Sequence, residues 1–146
     1  MKTILLIEDN ESDEVLTVRA LEKSKVANEI VVVRDGEEAL AYLFGTGVHA
    51  GRNVEQLPTV ALLDLNLPKI GGLDVLRRIR ADARTRCLPV VVLTSSNEDS
   101  DIVQSYDLGA NAYVRKPVDF NEFAQAAKTL GLFWLLVNEP PRPPRG

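Results

Sequence analysis

Short apolar runs alternate with helical segments along most of this chain, and that alternation constrains its fold more than any other feature. The runs are Ile4-Leu5-Leu6-Ile7, Ile30-Val31-Val32-Val33 within 29–34, Val60-Ala61-Leu62-Leu63, Pro89-Val90-Val91-Val92-Leu93 within 88–94, and Ala112-Tyr113-Val114-Arg115. Runs this short and this continuously apolar read as parallel strands buried on both faces. Between them, apolar residues recur at helical spacing. Val15, Leu16, Val18, Ala20 and Leu21 mark a helix that opens near Asn10 or Ser12 and runs to about Lys23. Asp35-Gly36 turns into a short helix carrying Ala39, Leu40, Leu43 and Phe44. Leu73, Leu76 and Ile79 mark a third helix, with Arg77, Arg78 and Arg80 on its other faces. A fourth spans Asp99 to Leu108 and closes at Gly109. A fifth, capped by Asp119, carries Phe120, Phe123, Ala124, Ala127 and Leu130.

Strands alternating with helices imply an α/β fold: a five-stranded, doubly wound parallel sheet with helices on both faces, joined by right-handed crossovers. At 146 residues the chain has one domain's worth of core. Two segments break the rhythm. Residues 45–58 contain Gly45, Gly47, Gly51 and Pro58 and read as a surface loop, longer than most connections; a tolerated insertion and a functional loop both fit. After residue 130 the chain runs Gly131-Leu132-Phe133-Trp134-Leu135-Leu136-Val137 and then Pro140-Pro141-Arg142-Pro143-Pro144, where the prolines favour an extended form. The expected organisation is a domain over 1–130 and an apolar, then proline-rich, extension over 131–146.

Composition excludes several classes. A net charge of −4 weighs against a general nucleic-acid binder. A lone cysteine, Cys87, makes no internal disulfide and fits a reducing compartment, so a cytoplasmic protein is expected. No apolar run approaches the ~18 residues of a membrane span. The opening strand is cut off by Glu8 and Asp9 before it could serve as a secretion signal.

Open α/β sheets place their ligands beyond the carboxyl ends of the strands. At those ends stand Glu8 and Asp9, then Asp64, then Thr94 and Ser95, then Lys116. Each has an ordinary structural reading. Acidic residues suit a helix N-terminus, Thr94 a strand-end hydroxyl, Lys116 a solvated lysine and Asp64 the start of a turn. Taken together they converge on one sheet edge, where carboxylates repel unless a cation joins them. A hard divalent ion such as Mg²⁺ does this, and Lys116 adds a fixed positive charge. The first strand-to-helix loop, Glu8-Asp9-Asn10-Glu11-Ser12-Asp13, repels a bare phosphate and attracts a metal. No Gly-x-Gly-x-x-Gly or Walker A pattern supports a nucleotide site. His49, alone in the long loop, reads as a surface residue and Cys87 as a packing residue.

In the order and spacing of these residues the chain resembles the receiver domain of two-component response regulators. Ile4-Leu5-Leu6-Ile7-Glu8-Asp9-Asn10, Leu63-Asp64-Leu65-Asn66-Leu67-Pro68, Gly72, Val92-Leu93-Thr94-Ser95 and Gly109-Ala110-Asn111-Ala112-Tyr113-Val114-Arg115-Lys116-Pro117 carry the resemblance, over roughly residues 3–130. It implies a flavodoxin-like (βα)5 fold and a phosphoryl group accepted on Asp64 from a histidine kinase. It implies Mg²⁺, replaceable by Mn²⁺ or Ca²⁺, held by Asp9 and Asp64, by Glu8 directly or through water, and by the Asn66 backbone carbonyl. Lys116 and Thr94 would contact the phosphoryl oxygen, Ser95 would leave it room, Tyr113 would move in response, and the Lys116–Pro117 bond would be cis. Gly71 stands where many receivers carry Asp, and neither Asn66 nor Ser96 is a strong water-orienting group. The long loop and the Phe133, Trp134 and Leu136 tail resemble single-domain regulators that serve phytochrome-type kinases. That implies no DNA-binding output and, in some members, a homodimer; the apolar tail, with Phe133, Trp134 and Leu136, reads as a dimer contact, docking onto its own domain being the alternative. A phosphorylation-independent interaction module is the alternative, disfavoured by the intact acidic set. A hydrolase with an aspartyl nucleophile would want a second carboxylate where Asn66 stands.

Overall fold

The computed structural model describes residues 2–24, 29–96 and 98–116, and residues 121, 122, 125, 126 and 129. Five strands, β1 (Thr3–Ile7), β2 (Glu29–Val33), β3 (Val60–Leu63), β4 (Val90–Thr94) and β5 (Ala112–Arg115), pair in the order β2-β1-β3-β4-β5, all parallel. Four helices connect them: α1 (Glu11–Ser24), α2 (Gly36–Phe44), α3 (Gly72–Ala81) and α4 (Asp99–Asp107). The described residues of the expected fifth helix, 121, 122, 125, 126 and 129, are helical. The apolar residues expected there, the cap at Asp119 and the whole extension lie outside the described residues. The doubly wound sheet is as the strand–helix alternation predicts.

Side chains alternate across a strand, so each central strand feeds two cores. Leu5, Ile7, Ala61, Leu63, Val90 and Val92 point to the face covered by α2 and α3. Ile4, Leu6, Val60, Leu62, Val91 and Leu93 point to the face where Leu21 of α1 packs. Burial on both faces is why these strands read as unbroken apolar runs.

Helix ends follow local chemistry. Asn10 caps α1, its side chain accepting from the Asp13 N–H at 3.0 Å. Asp35 caps α2, accepting from the Glu38 N–H at 2.7 Å. At the end of α4, Gly109 takes φ 98°, and the N–H groups of Gly109 and Ala110 reach back to the Tyr106 and Ser105 carbonyls. That is the Schellman arrangement, in which glycine bears the left-handed turn without a Cβ penalty. Gly71 stands at the N-cap of α3 and supplies no side-chain cap.

Three expectations need correction. Val15 is 45% exposed, and the inward positions of α1 are Thr17, Ala20 and Leu21. Val15 lies six residues before Leu21, about 120° around the helix from it, outside the stripe that faces the sheet. Arg80, expected on an outer helix face, turns inward. His49 is half-buried, with its ring edge-on to Tyr42 at 5.2 Å and its Nε2 3.3 Å from Glu38. The long loop that holds it contains one 3-10 turn, Gly47–His49. Arg52 ties that loop to α2, donating to the Tyr42, Leu43 and Gln56 carbonyls and stacking over the Tyr42 ring at 4.1 Å. It thereby supplies the C-terminal cation that α2 lacks in its own last turn. Cys87 is half-buried, in keeping with a packing role.

Candidate functional site

The site assembles where the sheet ladder runs on past the strands. The Glu8 N–H donates to the Val33 carbonyl, and the Asp64 N–H donates to the Ile7 carbonyl at 3.1 Å. Both residues are therefore held by backbone bonds as β1 and β3 end. Gly72 fixes Asp64 from behind: a Cβ at this position would overlap the Asp64 carbonyl oxygen and come within 2.6 Å of the Leu65 Cα. The first turn of α3 packs directly under the aspartate for that reason.

The two Asp64 oxygens have separate partners. Oδ1 accepts from the Thr94 hydroxyl at 3.0 Å and from the Asn66 N–H at 3.0 Å. Oδ2 accepts from the Lys116 ammonium at 2.9 Å. Lys116 is delivered by β5, its own N–H bonded to the Thr94 carbonyl at 2.7 Å. Its Nζ also donates to Glu8 Oε1 at 2.8 Å and to Asp13 Oδ2 at 2.9 Å. All three ammonium hydrogens thus have a carboxylate each. Glu8, Asp64 and Thr94 are buried, and the Lys116 side chain is 7% exposed.

Charge is strongly coupled here. Burial pushes the Glu8 carboxyl up to about 9, assisted by its hydrogen bond to Asp64 and opposed by Lys116. Burial also acts to raise Asp64, but the hydrogen bonds from Glu8, Lys116 and the Asn66 N–H outweigh it and hold that carboxyl below its usual range. Lys116 is depressed by burial and raised more strongly by its three carboxylates, so it stays charged. The Lys116 ammonium offsets part of the charge of the crowded carboxylates.

Oxygen atoms of Glu8, Asp9 and Asp64 lie within 4.8 Å of one another. Two of these residues are buried and Asp9 is exposed. Carboxylate donors with one side open to water suit a hard divalent ion that keeps part of its hydration shell, as Mg²⁺ does. The donor set fits the implied metal.

The site residues expected from sequence fall into place unevenly. Glu8, Asp9, Asp64, Thr94 and Lys116 come together. Asn66 is exposed beside them and contributes its N–H. Tyr113 stands one layer away, its hydroxyl donating to the Ser96 carbonyl at 2.8 Å. The Ser96 hydroxyl is itself committed to Asp101 of α4 at 2.6 Å. Phe133, Trp134, Leu136 and Pro117, and with Pro117 the expected cis bond, lie outside the described residues. Asp13 was missed as a site residue, since a first-turn carboxylate already suits the helix dipole. The available signal is position: Asp13 lies in the first turn of α1, the helix that begins just beyond the sheet edge bearing Glu8 and Asp9.

Comparison with known proteins decides the family. The response regulator receiver domain signature matches residues 4–128. The chain belongs to the response regulator receiver family. A probable methanogenesis regulatory protein, FilR2 of Methanothrix harundinacea, is 39% identical over 140 residues, covering 96% of this chain and 88% of that protein. The phosphorylated cyanobacterial phytochrome response regulator RcpA superposes with a TM-score of 0.89 at 43% identity, covering 96% of this chain and 98% of that one. The Mn²⁺-bound form of response regulator Rcp1 gives 0.89 at 35% identity, over 97% and 99%. The bacteriophytochrome response regulator RtBRR gives 0.77 at 54% identity, over 97% and 84%. As a receiver, the chain is a signalling protein of the kind that works with histidine kinases. No helix among its described residues is long and apolar enough to cross a membrane.

Proposed function

We propose that this receiver accepts a phosphoryl group on Asp64 from a histidine kinase, in a reaction that requires Mg²⁺. One observation carries the reading: Asp64 is a buried carboxylate with Thr94 on one oxygen and Lys116 on the other, beside a carboxylate cluster of metal-binding size. In the transfer, an Asp64 oxygen forms a bond to phosphorus as the bond from phosphorus to the donor's imidazole nitrogen breaks. The electron pair leaves with that nitrogen. Such transfers depend on in-line positioning and on neutralising the equatorial oxygens.

Each residue has a task in this scheme. The burial and backbone bonding of Asp64 hold the nucleophile still. Lys116 already contacts Asp64 and turns its ammonium to a phosphoryl oxygen. Thr94 offers its hydroxyl to another. Mg²⁺ would supply positive charge where negative charge develops on the phosphoryl oxygens. Asp9, Asp64, Glu8 and the Asn66 backbone carbonyl would hold that ion, and Mn²⁺ or Ca²⁺ would substitute; the Mn²⁺-bound Rcp1 relative supports this. A phosphoryl group brings about two negative charges and three acceptor oxygens. Movement of Thr94 toward it would shift the Ser96 loop to which the Tyr113 hydroxyl is bonded, and so reach α4 and β5.

The phytochrome link rests on RcpA and RtBRR: their likeness to this chain favours a phytochrome-type kinase as its partner. The same reading holds residues 1–130 as the receiver and 131–146 as an extension that helps to form a homodimer through Phe133, Trp134 and Leu136. It gives the protein no DNA-binding role, no membrane attachment, a cytoplasmic place and no turnover activity on outside substrates. Light scattering of the full chain reads the dimer.

Intact mass spectrometry after incubation with acetyl phosphate and Mg²⁺ tests the central claim. A phosphoryl adduct is expected on the wild type, lost on Asp64→Asn and lost with chelator. A wild type that takes up no phosphoryl group, even from a phosphorylated kinase, would leave a phosphorylation-independent interaction module as the better description.

A further inference from the structure

Asp13 is the one carboxylate on Lys116 that the phosphoryl scheme above does not use. Building on that scheme, we propose that Asp13 is a positioning residue: it holds one donor of the Lys116 ammonium away from the phosphoryl site and keeps the lysine from competing with the metal.

Geometry carries the argument. The Lys116 Nζ has three N–H bonds and spends them on Glu8 at 2.8 Å, Asp13 at 2.9 Å and Asp64 at 2.9 Å. Glu8 and Asp64 are also members of the carboxylate cluster that would hold the metal, and Asp13 is not. When the metal and the phosphoryl group claim Glu8 and Asp64, Asp13 is the partner left to the lysine. Its position is set from its own side. The Asp13 N–H is bonded to the Asn10 side chain at 3.0 Å, which fixes the first turn of α1 against the sheet edge. The Asp13 side chain is 31% exposed, so it stands at the rim, whereas Glu8 and Asp64 are buried. A rim carboxylate held on a buried lysine draws the ammonium outward, away from Asp64.

Two consequences follow, and they have opposite signs. Without the Asp13 charge, Lys116 leans wholly on Glu8 and Asp64, the groups the metal needs, and one attractive charge near the cation is gone. Metal binding should weaken. Once metal is saturating, the same loss removes a negative charge that repels an incoming dianionic donor and frees one N–H for a phosphoryl oxygen. Phosphoryl uptake should speed up. A unit charge several ångströms away under near-aqueous screening is worth about threefold in either equilibrium or rate. A residue that merely braced the fold would move both quantities in the same, unfavourable direction.

The test uses the full chain as Asp13→Asn, which keeps the shape and removes the charge, with Asp13→Glu as the charge-restoring control. Isothermal titration calorimetry with MgCl₂ reads the metal without any phosphoryl donor. Intact mass against time reads phosphoryl uptake from acetyl phosphate at saturating MgCl₂. The expected result is about threefold weaker Mg²⁺ binding and about threefold faster uptake for Asp13→Asn, with Asp13→Glu closer to the wild type in both. Mg²⁺ binding unchanged in Asp13→Asn, or uptake that slows along with it, would overturn the proposal. If the wild type takes up no phosphoryl group, the phosphoacceptor reading fails by itself, and the calorimetric arm still decides whether Asp13 tunes the metal through Lys116. Circular dichroism melts of each variant confirm that the comparison is between folded proteins.

Discussion

Two long cations, Lys116 and Arg80, are drawn inward at different ends of the same sheet, and they are held in different ways. Lys116 ends on three carboxylates at the carboxyl edge. Arg80 lies on α3 and ends on neutral oxygens: the carbonyls of Arg86, Leu88 and Gly109 and the side chain of Asn111. Burial acts to lower both. In Arg80 nothing outweighs it and the guanidinium falls below its usual value, whereas in Lys116 the carboxylates win and the ammonium rises. The lesson is chemical. A guanidinium fork aimed at fixed carbonyls makes a static brace between α3, the start of β4 and the turn into β5. An ammonium among carboxylates is an exchangeable contact: in the proposed scheme Glu8 and Asp64 trade it for a metal ion or a phosphoryl oxygen, while Asp13 keeps it.

The sharpest way to break this contrast is Lys116→Met. Phosphoryl uptake on Asp64 should fall about 100-fold, the scale of losing one donor aimed at developing charge. Intact mass against time at saturating Mg²⁺ measures it, and uptake at near the wild-type rate would remove Lys116 from the chemistry. Arg80→Ala should do the reverse. It strands the Leu88 and Gly109 carbonyls and should cost about 2–3 kcal/mol of stability in urea, with uptake by the folded fraction unchanged. A loss of uptake at unchanged stability would mean that the brace belongs to the site after all. The smallest effect is expected at Arg52, which like Arg80 ends on carbonyls. It sits in a surface loop and its acceptors, the Tyr42 and Leu43 carbonyls at the end of α2 and the Gln56 carbonyl, can be reached by water, so Arg52→Ala should cost about 1 kcal/mol. A larger loss in the same urea measurement would show that the 45–58 loop is part of the core.

The contrast also marks how far the sequence could be read. Strand ends bearing Glu8, Asp9, Asp64, Thr94 and Lys116 were legible because a parallel sheet puts all its carboxyl ends on one edge, whatever the details of packing. The partners of Arg80 were not. Nothing in the order of residues says that an arginine between Ile79 and Ala81 will reach a carbonyl at Gly109, since that reach depends on how α3 lies against the turn after α4. The error at Val15 has a related origin, because α1 offers more than one partly apolar stripe and only packing against the sheet decides which of them turns inward. Asp13 was hidden by a sufficient local explanation: a carboxylate in a first turn needs no partner beyond the helix dipole.

By itself, then, the sequence determined the fold class, the shared edge of the strand ends and the carboxylate at its centre, Asp64, that we propose as the phosphoacceptor. These depend on periodicity and on the direction of the chain, which are local or topological properties. Tertiary structure alone decided which oxygen of Asp64 faces Thr94 and which faces Lys116, and that the lysine's third hydrogen bond goes to Asp13. Hydrogen-bond assignments of that kind are settled over a few tenths of an ångström, after helices and sheet have packed, and sequence spacing carries no information at that scale.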